Sequence, residues 1–291
     1  MDAGTLSSGK GHRDENFPVA SLLIRKTHRP VILAFYRFAR AADDVADHPY
    51  AERNEKLRIL ERLWRSLQEE AAHPSEAIAL RRCLLERKLT SQHALDLLEA
   101  FRRDVTKRRY KNWNELMDYC RYSAAPVGRF VLDVHGESRA TWPASDALCT
   151  ALQVINHLQD CGSDYKALDR VYLPLDLINE SGARLTDLGA PSASRPLREA
   201  LSELARRTQE LLSKSRAFSG QIRDGRLALE VGVIQRLAED LARRLRVRDP
   251  LSERVQHRLP ETLLLAVAGG TFVLSDRFRS SLSQRALPAI A

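Results

Sequence analysis

Two apolar helical stretches, far apart along the chain, each end in aspartates spaced one turn from one another. The first runs Tyr36-Arg37-Phe38-Ala39-Arg40-Ala41-Ala42-Asp43-Asp44-Val45-Ala46-Asp47, and the second Gln153-Val154-Ile155-Asn156-His157-Leu158-Gln159-Asp160-Cys161-Gly162-Ser163-Asp164. Residues three or four apart share a helical face. Tyr36, Arg40, Asp43 and Asp47 therefore form one stripe, and Gln153, Asn156, Asp160 and Asp164 another. Carboxylates on faces that otherwise read as buried are costly unless paired or metal-bound, and facing like charges cannot all stay ionised with nothing positive between them. The pattern calls for a bundle that brings the two acidic turns together around cations. Mg²⁺ held by few carboxylates keeps positions open for substrate phosphates. The expected substrate is thus a diphosphate, and the expected metal ligands and catalytic groups are Asp43, Asp47, Asp160 and Asp164.

The stripes also carry candidate substrate contacts. Arg40 has the bidentate donor geometry that suits phosphate oxygens, although a salt bridge within its own helix would account for it equally well. Gln153 and Asn156 read either as core amides or as polar contacts to metal or substrate. Just beyond Asp164, the segment Arg170-Val171-Tyr172-Leu173-Pro174 reads either as a mere loop start or as a piece that folds back over the site and supplies Arg170 and Tyr172. His135 and His157 have no partner in the pattern, and core or surface roles are expected for both.

The chain of 291 residues is rich in Ala, Leu, Arg and Glu, with 13 Gly and 12 Pro, which favours helix throughout. The net charge of +8 comes mostly from arginine. Those arginines are scattered along helices, with no zinc-finger spacing or aromatic RNA-binding signature, so a nucleic-acid partner is not expected. Cys83, Cys120, Cys149 and Cys161 show no paired metal spacing and read as reduced thiols. The first sixteen residues lack the apolar core of a signal peptide. The longest apolar stretch, Leu263 to Leu274, is broken by Gly269 and Gly270 and is too short to span a bilayer. A cytoplasmic protein is expected, with peripheral contact at the inner membrane surface kept open by the basic helices.

The expected architecture is all-α, a single bundle of about ten helices. Residues 1–14 read as a flexible tail, 15–280 as the helical domain and 281–291 as a second tail. Helix is expected after Pro30 until His48-Pro49, over 51–72, from Ser75 to Arg87, and after an N-cap at Ser91. It is also expected from Asn114 to Glu137 with a defect at Pro126, from Ser145 through the second acidic stripe, and over 197–217, 222–247 and 260–276. Residues 165–196 read as a long connection.

These motifs resemble those of the squalene and phytoene synthases. Tyr119-Cys120-Arg121-Tyr122-Ser123-Ala124-Ala125-Pro126-Val127-Gly128 is similar to the family's central motif. Glu15-Asn16-Phe17-Pro18-Val19-Ala20-Ser21 and Phe101-Arg102-Arg103-Asp104-Val105-Thr106-Lys107 are closest to the bacterial hydroxysqualene synthase branch of hopanoid biosynthesis, which is also called squalene synthase. Gln159 stands where many relatives carry arginine, and Arg121 where some carry tyrosine. The resemblance, over roughly residues 15–275, implies an isoprenoid synthase fold around a central cavity. It implies Mg²⁺ on Asp43, Asp47, Asp160 and Asp164, and a prenyl diphosphate held by Tyr36, Arg40, Gln153, Asn156 and Tyr172. The expected reaction is ionisation of presqualene diphosphate, rearrangement of the cation and capture by water to give hydroxysqualene, with aromatic faces such as Phe35, Tyr36 or Tyr122 beside the cation. The rivals are head-to-head condensation of two prenyl diphosphates to presqualene diphosphate, squalene or phytoene, and a non-catalytic helical assembly factor.

Overall fold

Helix α1 shows how the sequence sets the architecture. It spans Arg29–Asp47, with Pro30 in its first turn, where the missing N–H costs nothing, and it stops at His48, ahead of Pro49. Its buried face is Val31, Ile32, Ala34, Phe35, Phe38, Ala42 and Val45, an i, i+3, i+4 series. Phe38 is fully enclosed, and burying a side chain of that size is worth about 1.5–3 kcal/mol.

The protein is described here from a computed structural model, over residues 24–68 and 75–257 together with 261, 262, 265, 269–271 and 273. The tails expected at 1–14 and 281–291, and the motif Glu15–Ser21, lie outside the described residues. The helices that follow α1 are α2 (Arg53–Gln68), α3 (Ser75–Arg87), α4 (Gln92–Thr106), α5 (Trp113–Ser123), α6 (Ala125–Val134), α7 (Trp142–Leu168), α8 (Leu175–Glu180), α9 (Arg195–Ser215), α10 (Phe218–Gln221) and α11 (Gly225–Leu245). Short 3₁₀ turns cover Arg139–Thr141 and Leu185–Gly189. Among the described residues there is no strand, only one isolated parallel bridge between Arg109 and Val171.

Three boundaries differ from expectation for identifiable reasons. Ser91 precedes α4 but makes no capping bond; the Thr90 hydroxyl accepts from the Gln92 N–H at 3.1 Å instead. The second acidic helix opens at Trp142 with Pro143 in its first turn, so Ser145 lies inside it, fully buried. The connection expected to start at 165 begins only at Asp169, whose left-handed backbone (φ 48°) ends α7. The defect at Pro126 is a full break: α5 ends at Ser123 and α6 restarts at Ala125 with Pro126 in its first turn.

Two apolar clusters make the core. One gathers α1, α2, α3 and α4 with Phe130 and Val134 of α6. The other gathers α5, α7, α8, α9 and α11. Helix α7 lies between α6, α9 and α11, and α1 packs on α3 and α4. The chain after α11 returns to pack on that helix at Gly269, where a Cβ would stand 2.8 Å from both Gly232 O and Val233 Cα. Backbone atoms cannot yield as a side chain can. Gly269→Ala is therefore expected to cost about 1–3 kcal/mol of overpacking strain, read as a lowered thermal midpoint.

Candidate functional site

An apolar chamber of about 290 Å³ opens between α1, α6, α7 and α11. Phe35, Tyr36, Val131, Leu148, Leu152 and Val231 line it, and Phe35 stacks on Phe130 with ring centroids 3.9 Å apart. Tyr122 is not among the lining residues; it sits outside with the Arg103 guanidinium 4.3 Å over its ring. Both acidic helices run past the chamber. Leu152 is on its wall and Asp160 lies two turns further along α7, roughly 12 Å at helical rise. Ala39 is on the wall of α1, and Asp43 follows one turn later.

At that end the two turns share one electrostatic field. Burial raises the Asp43 carboxyl to about 7, with Asp47 adding to the effect, Arg40 opposing it, and Asp104 and Asp44 contributing further. Burial likewise raises Asp164 to about 7, with Asp160 adding, Arg170 opposing, and Asp47 and Asp104 contributing. Asp47 thus acts on carboxyls from both helices. Asp160 itself is exposed, unlike the buried position its apolar neighbours suggested, because its stripe emerges from the core at that turn. Arg40 reaches Asp43 at 3.1 Å and Asp44 at 2.7 Å. Asp44 is the buried member of the first triplet and anchors that arginine.

Arg170 folds back because α7 ends abruptly. Asp169 turns the chain, and Arg108 at 2.7 Å and Arg109 at 2.5 Å hold its carboxylate. Val171 N donates to Arg108 O at 2.9 Å, tying this segment to the loop after α4. The Arg170 guanidinium, 6 % exposed, then donates to Asp47 Oδ1 at 2.7 Å, to the Tyr172 hydroxyl at 3.2 Å and to Asp104 O at 3.1 Å.

Asp104, within the Phe101–Lys107 motif, is the hub of this network, a role its sequence context did not reveal. Its carboxylate accepts from Tyr172 at 2.7 Å and from Tyr119 at 2.8 Å. Burial raises it to about 6, while Arg170 and the two tyrosines pull the other way. Its signal was available: Leu97, Ala100 and Asp104 fall on one buried face of α4. Lys56 was also missed. Its ammonium donates to Ala46 O at 3.0 Å, close to Asp47 and Arg170. Lys56 is half-buried in the first turn of α2, and local spacing carries no mark of that proximity.

Gln153 lies 3.2 Å from His157, whose ring stacks on Tyr172 with centroids 3.7 Å apart. Burial lowers the His157 pKa to about 3, so the ring stays neutral and accepts from the Gln153 amide. His157 therefore has partners that the sequence did not reveal. Asn156 is half-buried one turn before Asp160, and Tyr36 is on the chamber wall. Gln159 donates to Val255 O at 2.6 Å, fastening α7 to the chain after α11, and Arg121 is exposed. Among the described residues no three acidic, histidine or cysteine side chains already form a metal cage. The carboxylates stand as two pairs.

A family profile described as squalene/phytoene synthase matches residues 11–261. The chain belongs to the squalene/phytoene synthase family. The synthase is 58% identical to a hydroxysqualene synthase of Zymomonas mobilis, over 91% of this chain and 90% of that one. It is 54% identical to one of Rhodopseudomonas palustris, over 92% and 91%. Its structure is similar to the crystal structure of squalene synthase HpnC from Alicyclobacillus acidocaldarius, with a TM-score of 0.70, 33% identity and coverage of 84% of this chain and 91% of that one. The all-α isoprenoid synthase fold is thereby established for this synthase, and membership makes it an isoprenoid synthase enzyme. No helix among its described residues is long and apolar enough to cross a membrane.

Proposed function

We propose that this synthase converts presqualene diphosphate to hydroxysqualene with Mg²⁺. The observation that carries the proposal is the pair of acidic turns meeting around Arg170 at the end of an apolar chamber, in a chain 58% identical to a protein named hydroxysqualene synthase.

The residues fit Mg²⁺. They offer oxygen donors only, and burial first, with neighbouring aspartates adding, raises the proton affinity of Asp43 and Asp164, a cost that a bound cation would relieve. Two carboxylate pairs, with water and phosphate completing the shell, suit an ion that dehydrates reluctantly. Asp43 and Asp47 would hold it from α1, and Asp160 and Asp164 from α7. Bound there, Mg²⁺ supplies charge neutralisation to the departing diphosphate. Arg40 and Arg170 grip the diphosphate oxygens, and Tyr172 fixes Arg170 through Asp104. Gln153 and Asn156 face the diphosphate from α7. Tyr36 and Phe35 present ring faces to the cation left behind. The chamber wall excludes bulk water, so the cation rearranges before it is captured.

The direct test supplies presqualene diphosphate and Mg²⁺ without a reductant and identifies the product by mass. Hydroxysqualene is the expected product, and chelating the metal is expected to stop its formation. Squalene made from farnesyl diphosphate by this chain alone would overturn the assignment in favour of condensation. An assembly factor has no reason to retain both acidic turns, and both are present. Work in the cytoplasm at the inner membrane surface belongs to the same proposal: the net charge of +8 draws the synthase to anionic lipid, where greasy substrate and product reside.

A further inference from the structure

The proposed reaction requires one water inside an apolar chamber, held at a fixed place and relieved of a proton as it bonds to carbon. A water held in a cavity needs polar partners. The polar side chains on the described wall are Tyr36, Ser145, Cys149 and Glu230. A phenol and an aliphatic hydroxyl do not accept a proton near neutrality. Burial pushes the Cys149 thiol up to about 11, so it too is no base. Glu230 alone among the four is a carboxyl.

Its placement is unusual. Leu227, Val231 and Ile234 are its neighbours on the chamber-facing stripe of α11, and Glu230 is only 5 % exposed among them. Ser145, on α7, faces the same space. Its hydroxyl is fully buried, makes no hydrogen bond of normal geometry among the described residues, and has the Cys149 thiol beside it. The room it occupies exists because residue 128 is glycine: a Cβ there would stand 2.4 Å from Ser145 Oγ.

We propose that Glu230, with Ser145 facing the same space, holds the water that captures the rearranged cation and accepts its proton. The step balances. Diphosphate leaves with the electron pair of the C–O bond, a water lone pair forms the new C–O bond, and the released proton passes to the Glu230 carboxylate. The inference rests on the presqualene diphosphate assignment and adds to it the group that decides between alcohol and alkene. Without the held water, the cation loses a proton from carbon and becomes a hydrocarbon.

The experiment follows released diphosphate and ¹⁸O incorporation from labelled water together, in wild type, Glu230→Gln, Glu230→Leu and Ser145→Ala, with presqualene diphosphate and Mg²⁺. Glu230→Gln is expected to release diphosphate within about threefold of wild type, while the ¹⁸O-labelled alcohol falls about 100-fold and hydrocarbon replaces it. Ser145→Ala, a small change that leaves the wall intact, is expected to lower the alcohol share about tenfold. An unchanged alcohol share in both Glu230 variants would overturn the inference. So would a Glu230→Gln enzyme that melts like wild type yet loses diphosphate release and alcohol in parallel, since the residue would then act in ionisation. A wild-type enzyme that makes no alcohol at all would instead bring down the underlying assignment.

Discussion

Replacing Asp43 and Asp164 together by asparagine is expected to abolish turnover while making the protein more stable. The activity arm follows from the proposed metal site. Removing one ligand from each acidic turn takes away charge neutralisation of the leaving group, and losses of about 1,000-fold are typical when such electrostatic support is removed. The stability arm follows from the same carboxyls. Both have pKa values raised from 3.8 to about 7 by burial and by neighbouring aspartates. A carboxyl that holds its proton more tightly when folded stabilises the fold below its unfolded pKa. That contribution is lost as pH rises through the folded pKa. Metal-free protein should therefore lose stability between about pH 4 and pH 7 through these two groups, and the double variant should not. Both side chains are partly open to solvent, so the gain above pH 7 is about 1 kcal/mol, or about 2–4 °C in thermal midpoint. Mg²⁺ should raise the wild-type midpoint and leave that of the variant unmoved. A thermal melt across pH, with and without the metal, reads all three. A variant that turns over normally would remove the metal site from the argument.

The second large effect is expected at Asp104. Truncating it to alanine strands the Tyr119 and Tyr172 hydroxyls and deprives the buried Arg170 of a neighbouring charge. Arg170 keeps Asp47 and the Asp104 carbonyl, so the cost is that of two buried hydroxyls left unpaired, about 1–3 kcal/mol each. The asparagine variant keeps one acceptor for the tyrosines and is expected to lose about 1–2 kcal/mol. Urea unfolding of the two variants separates them, and equal, small losses would show that the hub carries no structural load. Because Arg170 also grips Asp47, the asparagine variant should weaken diphosphate binding more than it slows the step that follows. That would appear as a raised KM with kcat largely kept.

Periodicity located α1, α9 and α11 to within a few residues, because each is a long amphipathic pattern bounded by proline, glycine or polar turns. The acidic stripes were legible for the same reason: an aspartate on an apolar face stands out against its surroundings. Asp104 obeyed that rule as well, but its stripe carries one carboxyl rather than two, and a single buried aspartate in a helix draws no attention until its tertiary partners appear. Lys56 and Glu230 were illegible for a different cause. One owes its role to a neighbouring helix and the other to a cavity shared by four helices, and neither relation leaves a trace in local spacing. The start of α7 falls three residues before the expected Ser145. Here Pro143 had already opened the helix, and the hydroxyl turned inward.

The guanidinium of Arg170 meets Asp104 and Asp47 across 66 and 123 residues of chain, and its strap is pinned to the loop after α4. On the ribosome, then, the first half of this protein emerges with two aspartates, Asp47 and Asp104, and one tyrosine, Tyr119, awaiting a partner not yet translated. Vectorial synthesis can build the α1–α4 layer early, since its contacts are near in sequence. The catalytic end can close only after residue 172 has left the exit tunnel. A nascent chain stalled before that point should be protease-sensitive around α5, and one stalled well beyond it should not.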